Sequence, residues 1–163
     1  MIRKLLSTDF TSIYRTINEA AQAYKGVIPG DRWKEPYMQR SELCEEISSG
    51  VQFYGWITGN ALAGVMGIQA LSDVTLIRHS YIRPEYQRMG IGTKLLQNLV
   101  ELARTPVILV GTWNDATWAI RFYEKNGFRC LLREESNKLL RRYWSIPERQ
   151  VETSIVLKLE LTS

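Results

Sequence analysis

Gly90 and Gly92 stand one residue apart in RPEYQRMGIGTKLL, residues 83–96, where a strand-like stretch gives way to a helix-like apolar pattern. The first turn of a helix leaves backbone N–H groups without intrahelical partners. Together with the helix dipole they attract an anion, phosphate above all. A side chain on the loop would hold a phosphate away; glycine removes that obstacle and permits positive φ. Gln87 and Arg88 add donors, and Thr93 adds a hydroxyl in the first turn. This chemistry suits a pyrophosphate. Two familiar phosphate loops do not fit. A Walker A loop needs four residues between its glycines, and a dinucleotide fingerprint needs a third glycine where Leu95 stands. The competing reading is a plain tight turn into a helix.

These residues need elements to position them. A strand over about Val74 to Ile82 leads in, and a helix over about Gly92 to Arg104 leads out, with Leu95, Leu96, Leu99, Val100, Leu102 and Ala103 on one broad face. PVILVGTW then reads as a buried strand, and ATWAIRFYEKNGF as a helix stopped at Asn126-Gly127. Upstream, MIRKLL begins as a short strand. Thr8 or Asp9 caps a helix running to about Tyr24, and two glycines and two prolines in residues 25–36 break it. A second helix covers about Tyr37 to Ser49. VQFYGWI and ALAGVMGIQAL form an antiparallel pair around Thr58-Gly59-Asn60. Strands near Phe128 to Arg133 and Thr153 to Leu161 finish the chain, with a hairpin over Leu139 to Gln150 before the last. The result is one α/β domain over residues 1–163, its sheet mostly antiparallel at the start, with a strand-helix-strand unit in the middle.

Composition sets outer bounds. The chain has 163 residues, 45% apolar and 23% charged, as in ordinary globular domains. No stretch reaches the roughly 20 apolar residues of a membrane span, and MIRKLLSTDF has no signal-peptide core. The expectation is a cytoplasmic protein without membrane contact. Cys44 and Cys130 are far apart and read as small packing residues; with one histidine in the chain, no metal site is expected. The net charge of +4 fits an anionic small ligand; outside Arg141 and Arg142 the basic residues are too dispersed for nucleic acid.

Residues flanking the glycines carry a resemblance. Q-R-M-G-I-G is similar to the Gln/Arg-x-x-Gly-x-Gly/Ala signature of the GNAT superfamily of acyl-CoA N-acyltransferases. Y-I-R-P-E-Y, residues 81–86, looks like the end of that family's fourth strand. Asn114 and A-I-R-F-Y-E-K-N-G-F, residues 119–128, resemble its downstream segment. The close match covers roughly residues 76–128, and the order of elements fits throughout.

The resemblance implies a GNAT-like fold and N-acetyl transfer from acetyl-CoA, a cosubstrate, to a primary amine, with no metal. The acceptor is a small molecule or a peptide, and a homodimer is an open possibility. The cofactor-binding set it implies is Tyr81, Ile82, Arg83, Gln87, Arg88, Met89, Gly90, Ile91, Gly92, Thr93, Asn114 and Tyr123. Pantetheine would lie near Ile82 and Gly111, with the Ile82 amide toward the thioester oxygen. Tyr123 is the candidate acid for the leaving thiolate. Asn114 would bond pantetheine or start its helix. His79 is the candidate base, although strand alternation turns it with Tyr81 away from Ser80 and Ile82 unless a bulge intervenes. Tyr24, Asp31 and Trp33 in and beside the 25–36 loop, and Arg141 in the late hairpin, are candidate acceptor contacts. A non-catalytic acyl-CoA-binding module and a nucleic-acid-binding domain are the alternatives.

Overall fold

The computed structural model describes residues 1–161. Its strands are β1 (Ile2–Lys4), β2 (Gln52–Thr58), β3 (Ala61–Ala70), β4 (Thr75–Ile82), β5 (Val107–Trp113), β6 (Arg129–Cys130) and β7 (Ser154–Glu160). Its helices are α1 (Phe10–Ala20), α2 (Arg40–Ser48), α3 (Ile91–Leu102), α4 (Thr117–Lys125), α5 (Arg133–Tyr143) and α6 (Glu148–Glu152). The strands make one sheet in the order β1-β2-β3-β4-β5-β7-β6. Every neighbouring pair is antiparallel except β4 with β5, which α3 connects as a parallel crossover.

Alternation along β5 sorts the layers. Ile108 and Val110 pack with Leu95, Leu96 and Leu99 of α3 and Tyr123 of α4. Leu109 packs the other way, with Leu140 of α5 and Val151 of α6. On that second face Phe53 and Val65 meet Ile13 and Ile17 of α1 and Leu43 of α2. Each fully buried leucine of α3 contributes about 2 kcal/mol of apolar transfer, enough to fix the helix against the sheet and so hold its N-terminus at the edge of the β4–β5 junction.

The first helix is less uniform than expected. Short 3₁₀ turns over Ser7–Asp9 and Ala21–Tyr24 flank α1. Asp9 is the clasp at its start: its carboxylate accepts from the Leu6 amide at 2.7 Å and from Arg3 at 2.9 Å. The Arg3 hydrogen bond, the Leu6 amide and the Arg3 charge hold its carboxyl at about 2, against an ordinary value of 3.8. A depressed carboxyl stabilises the fold above its unfolded value and loses that contribution as pH falls through the folded one. Asp9→Asn is therefore expected to lose about 1 kcal/mol at pH 7. Its deficit against the parent should shrink from about pH 4 and vanish near pH 2, as read by urea denaturation.

The segment before β7 departs from expectation. It is no hairpin but two helices, α5 and α6, and β6 stops at Cys130 because Arg133 already opens α5. Only Ser136 and Leu140 of α5 are buried, so its apolar stripe is too thin to read. The usable signal was charge: Glu134 and Glu135 in the first turn and Arg141 and Arg142 in the last suit the helix dipole. Ser136 Oγ accepts the Val156 amide of β7 at 3.1 Å, which anchors the helix to the strand. Cys44 also differs from its packing role: it lies exposed on α2.

Candidate active site

The chemistry-bearing residues meet where the sheet comes apart. β4 pairs with β5 only at Thr75, Leu76 and Ile77, opposite Ile108, Leu109 and Val110. Both strands run on, to Ile82 and Trp113, without pairing further. A bulge explains the parting. Val65 faces Tyr81 and Gly67 faces Arg78, so Met66 alone opposes His79 and Ser80. A bulge bends its strand, and this one begins just past the last β4–β5 pair. His79 sits in it with φ 56°, a left-handed conformation that costs a histidine on the order of 1–3 kcal/mol.

The opening leaves backbone groups without strand partners. The Arg83 amide donates to the Ala63 carbonyl at 2.9 Å, and Gly64 is opposite Ile82. Ile82 is thus in a non-hydrogen-bonded pair, and its own amide points away from β3 toward the opening. Its carbonyl accepts from Gln87 Nε2 at 3.3 Å, which draws the following loop back against the strand end.

That loop ends in an anion cradle. Gly90 caps α3 with φ 77° and no side chain, and Arg88 also takes a left-handed φ, 65°. The first amide bonded back to the cap is that of Lys94, to the Gly90 carbonyl at 3.1 Å; the amides of Ile91, Gly92 and Thr93 precede it and have no intrahelical acceptor. A Cβ on Gly92 would come within 3.4 Å of the Phe122 ring, so glycine lets α4 approach the same turn. The cradle and the opening form one cavity of about 630 Å³. Free amides in a side-chain-free turn, continuous with a cleft between two unpaired strand ends, fit a diphosphate with an extended tail.

Across the cleft stands Tyr123, on α4 and only 4% exposed. Phe122 and Phe128 hold its ring edge-on at 5.0 and 5.5 Å. Burial pushes its phenol up to about 12, with the Ser80 hydroxyl pulling the other way.

The GNAT acetyltransferase family model matches residues 9–128. The chain belongs to the GNAT acetyltransferase family. Among solved structures it is similar to PaiA N-acetyltransferase of Thermoplasma acidophilum in complex with coenzyme A, at 18% identity over 99% of this chain and 98% of that one, with a TM-score of 0.75. It is also similar to the ribosomal-protein-S18-alanine N-acetyltransferase of Escherichia coli, at 18% identity over 100% and 94%, TM-score 0.73. A third is a GNAT acetyltransferase of Elizabethkingia anophelis with acetyl-CoA bound, at 22% identity over 99% and 97%, TM-score 0.64. At these identities the likeness is one of fold.

Within this GNAT domain, the expected site residues separate into two groups. Tyr81, Ile82, Gln87, Arg88, Gly90, Ile91, Gly92, Thr93, Tyr123, His79 and Tyr24 line the cavity. The others have different engagements. Arg83 is turned to α1, bonding Thr16 at 3.2 Å and pairing with Glu19 at 3.4 Å. Met89 is 62% exposed and outside the cavity wall. Asn114 accepts from Arg133 at 2.6 Å and donates to the Glu152 carbonyl at 3.2 Å, so it braces α5 and α6; the cap of α4 is Ala116.

On the acceptor side, Asp31 is paired with Arg149 at 2.9 Å, Trp33 stacks on Tyr37 at 5.6 Å, and Arg141 is paired with Glu148. None of the three lines the cavity. The partners of Asp31 and Arg141 lie in α6 and that of Trp33 at the entry to α2.

His79 lies on the α1–α2 face, stacked on Phe53 at 6.1 Å. Its Nε2 is sealed from solvent 3.5 Å from Glu46 Oε2, and neither atom has a hydrogen-bond partner. Desolvation pushes the Glu46 carboxyl up, but the polar influence of the adjacent His79 ring and the Arg78 charge together outweigh it and leave it lowered. Glu46 was not foreseen as a site residue: it is one of two adjacent glutamates on α2, and only the fold brings it to His79.

Proposed function

We propose that the protein transfers an acetyl group from acetyl-CoA to a primary amine by direct attack. The observation that carries this is the unpaired end of β4 and β5, open between a glycine-capped helix start and a buried tyrosine. Backbone amides from Arg88 to Thr93 hold the diphosphate. The pantetheine arm takes the position of a strand between β4 and β5, and the Ile82 amide donates to the thioester oxygen.

The amine nitrogen attacks the acyl carbon. An N–C bond forms while the carbonyl electron pair moves onto oxygen, toward Ile82. Collapse of the tetrahedral intermediate breaks the C–S bond, and sulfur leaves with that electron pair. The nitrogen gives up two protons in all, one before attack and one as the amide forms, and the leaving thiolate takes up one, so the products are an amide, free coenzyme A and one proton. His79 takes the amine proton. With a proton on Nε2 facing Glu46, its Nδ1 keeps the free lone pair.

A magnitude supports one role for Tyr123 over another. Its phenol, at about 12, is a weaker acid than an ordinary thiol at about 8.5. Full transfer to the thiolate would cost about 5 kcal/mol. Tyr123 therefore donates a hydrogen bond to the departing sulfur, and the proton comes from solvent.

The test begins with binding. Saturating acetyl-CoA, at about 100 times its dissociation constant, is expected to add about 2.7 kcal/mol and so raise Tm by about 5–10 °C. Incubation with a panel of amines should then release free thiol. Absence of any thermal shift overturns the reading at its first step.

A further inference from the structure

We infer that the acceptor is a small monoamine on an apolar or aromatic body, without a second charge. This rests on the acetyl-transfer reading and names its substrate class. The acceptor side of the cavity is walled by Tyr24, Tyr37 and Tyr81 on one flank and Trp113, Trp144 and Ile146 on the other. Tyr24 and Tyr37 stand edge-on or nearly so to Tyr81, at 6.0 and 6.3 Å. Trp113 Nε1 reaches the Tyr37 hydroxyl at 3.4 Å and bridges the flanks.

Among the described residues, no aspartate or glutamate lines this cavity. Asp31 is held by Arg149 and Glu35 by Trp33 and Lys25. The cations give no receptor for a carboxylate either. Arg78 is occupied by Glu46 at 3.1 Å and Gln69 at 3.2 Å, and Arg88 belongs to the phosphate end.

One ammonium is accommodated by aromatic faces. The same apolar walls lower its pKa, which eases the proton loss that attack requires. A second ammonium would be stripped of water with nothing to replace it. Two ties also cross between the 25–36 loop and α6: Arg149 with Asp31, and Arg32 with Gln150 at 3.2 Å. They tie the loop to α6 beside Gln150, which lines the cavity, and so narrow its acceptor end toward a compact molecule.

The probes are 2-phenylethylamine, spermidine and an alanine tripeptide, followed by thiol release with acetyl-CoA. The kcat/KM for 2-phenylethylamine should exceed that for either of the others by about 100-fold. Trp144→Ala should raise its KM about 10-fold while the acetyl-CoA thermal shift stays intact; Trp144→Phe should recover most of the loss. Preference for spermidine or the peptide, or an unmoved KM in a Trp144→Ala protein that still binds acetyl-CoA, overturns the inference and leaves acetyl transfer standing. Binding of acetyl-CoA with no thiol release from any probe overturns both.

Discussion

Tyr123→Phe should lower kcat about 100-fold and leave the KM for acetyl-CoA nearly unchanged, because in the proposed mechanism the hydroxyl is used where charge develops on sulfur. The fold should tolerate the change. The edge-on contacts with Phe122 and Phe128 belong to the ring, which phenylalanine keeps, so circular dichroism and Tm should move little. The pH profile is the sharper test. A phenol raised to about 12 stays protonated across the working range, so kcat in the parent should have no descending limb from Tyr123 below about pH 10. A limb near pH 9 that disappears in the variant would overturn the burial argument. The same shift has a stability sign. A group raised in the folded state contributes fully below its unfolded value, about 10 for tyrosine. That contribution is lost as pH climbs toward 12, so alkaline unfolding should begin above pH 10.

Thr93→Asp should move stability and binding in opposite directions. Thr93 lies in the first turn of α3 and lines the cavity. A carboxylate there interacts well with the helix dipole, by about 0.3–1 kcal/mol, so Tm should hold or rise slightly. In the proposed binding mode the diphosphate takes the same amides. A like charge about 5 Å away at an effective dielectric near 20 costs about 3 kcal/mol, and the KM for acetyl-CoA should rise about 100-fold or more. The acceptor KM, measured at saturating acetyl-CoA, should stay within a few-fold. Equal affinity for acetyl-CoA in parent and variant would mean that the diphosphate lies elsewhere. Comparing this variant with Thr93→Ser separates the charge from the hydroxyl.

Legibility in the sequence followed the range of the interactions. The glycine turn and α3 were readable because their determinants are neighbours in sequence: Gly90 supplies the left-handed cap, and about three turns of apolar spacing supply the buried face. β2 and β3 were readable for the same reason, with a tight turn between them. α5 was missed because its helical character rests on end charges and on one serine bonded to β7, a partner 20 residues away.

The site divides similarly. Residues 81–93 and Tyr123 sit in local motifs, and most of them reach the cavity. On the acceptor side only Tyr24 does, among Tyr24, Asp31, Trp33 and Arg141. Whether Asp31 is free for a ligand depends on Arg149, 118 residues on. Whether Arg141 is free depends on Glu148, which a helix–helix corner brings round. His79 lies between the two cases. Alternation correctly turned it toward the Tyr81 side, but Glu46 beside it comes from a separate helix. A single chain reports which residues have suitable chemistry; the fold decides which of them are already spoken for.

The parting of β4 from β5 also bears on how the molecule resists force. Three residue pairs rivet the β1–β4 plate to the β5–β7–β6 plate, all at one end. The joint is therefore a notch, stiff at its root around Ile77 and compliant at its mouth around Ile82 and Trp113. An extended ligand that bonds to both lips acts as a stitch across the notch, stiffening the sheet from its weakest margin inward.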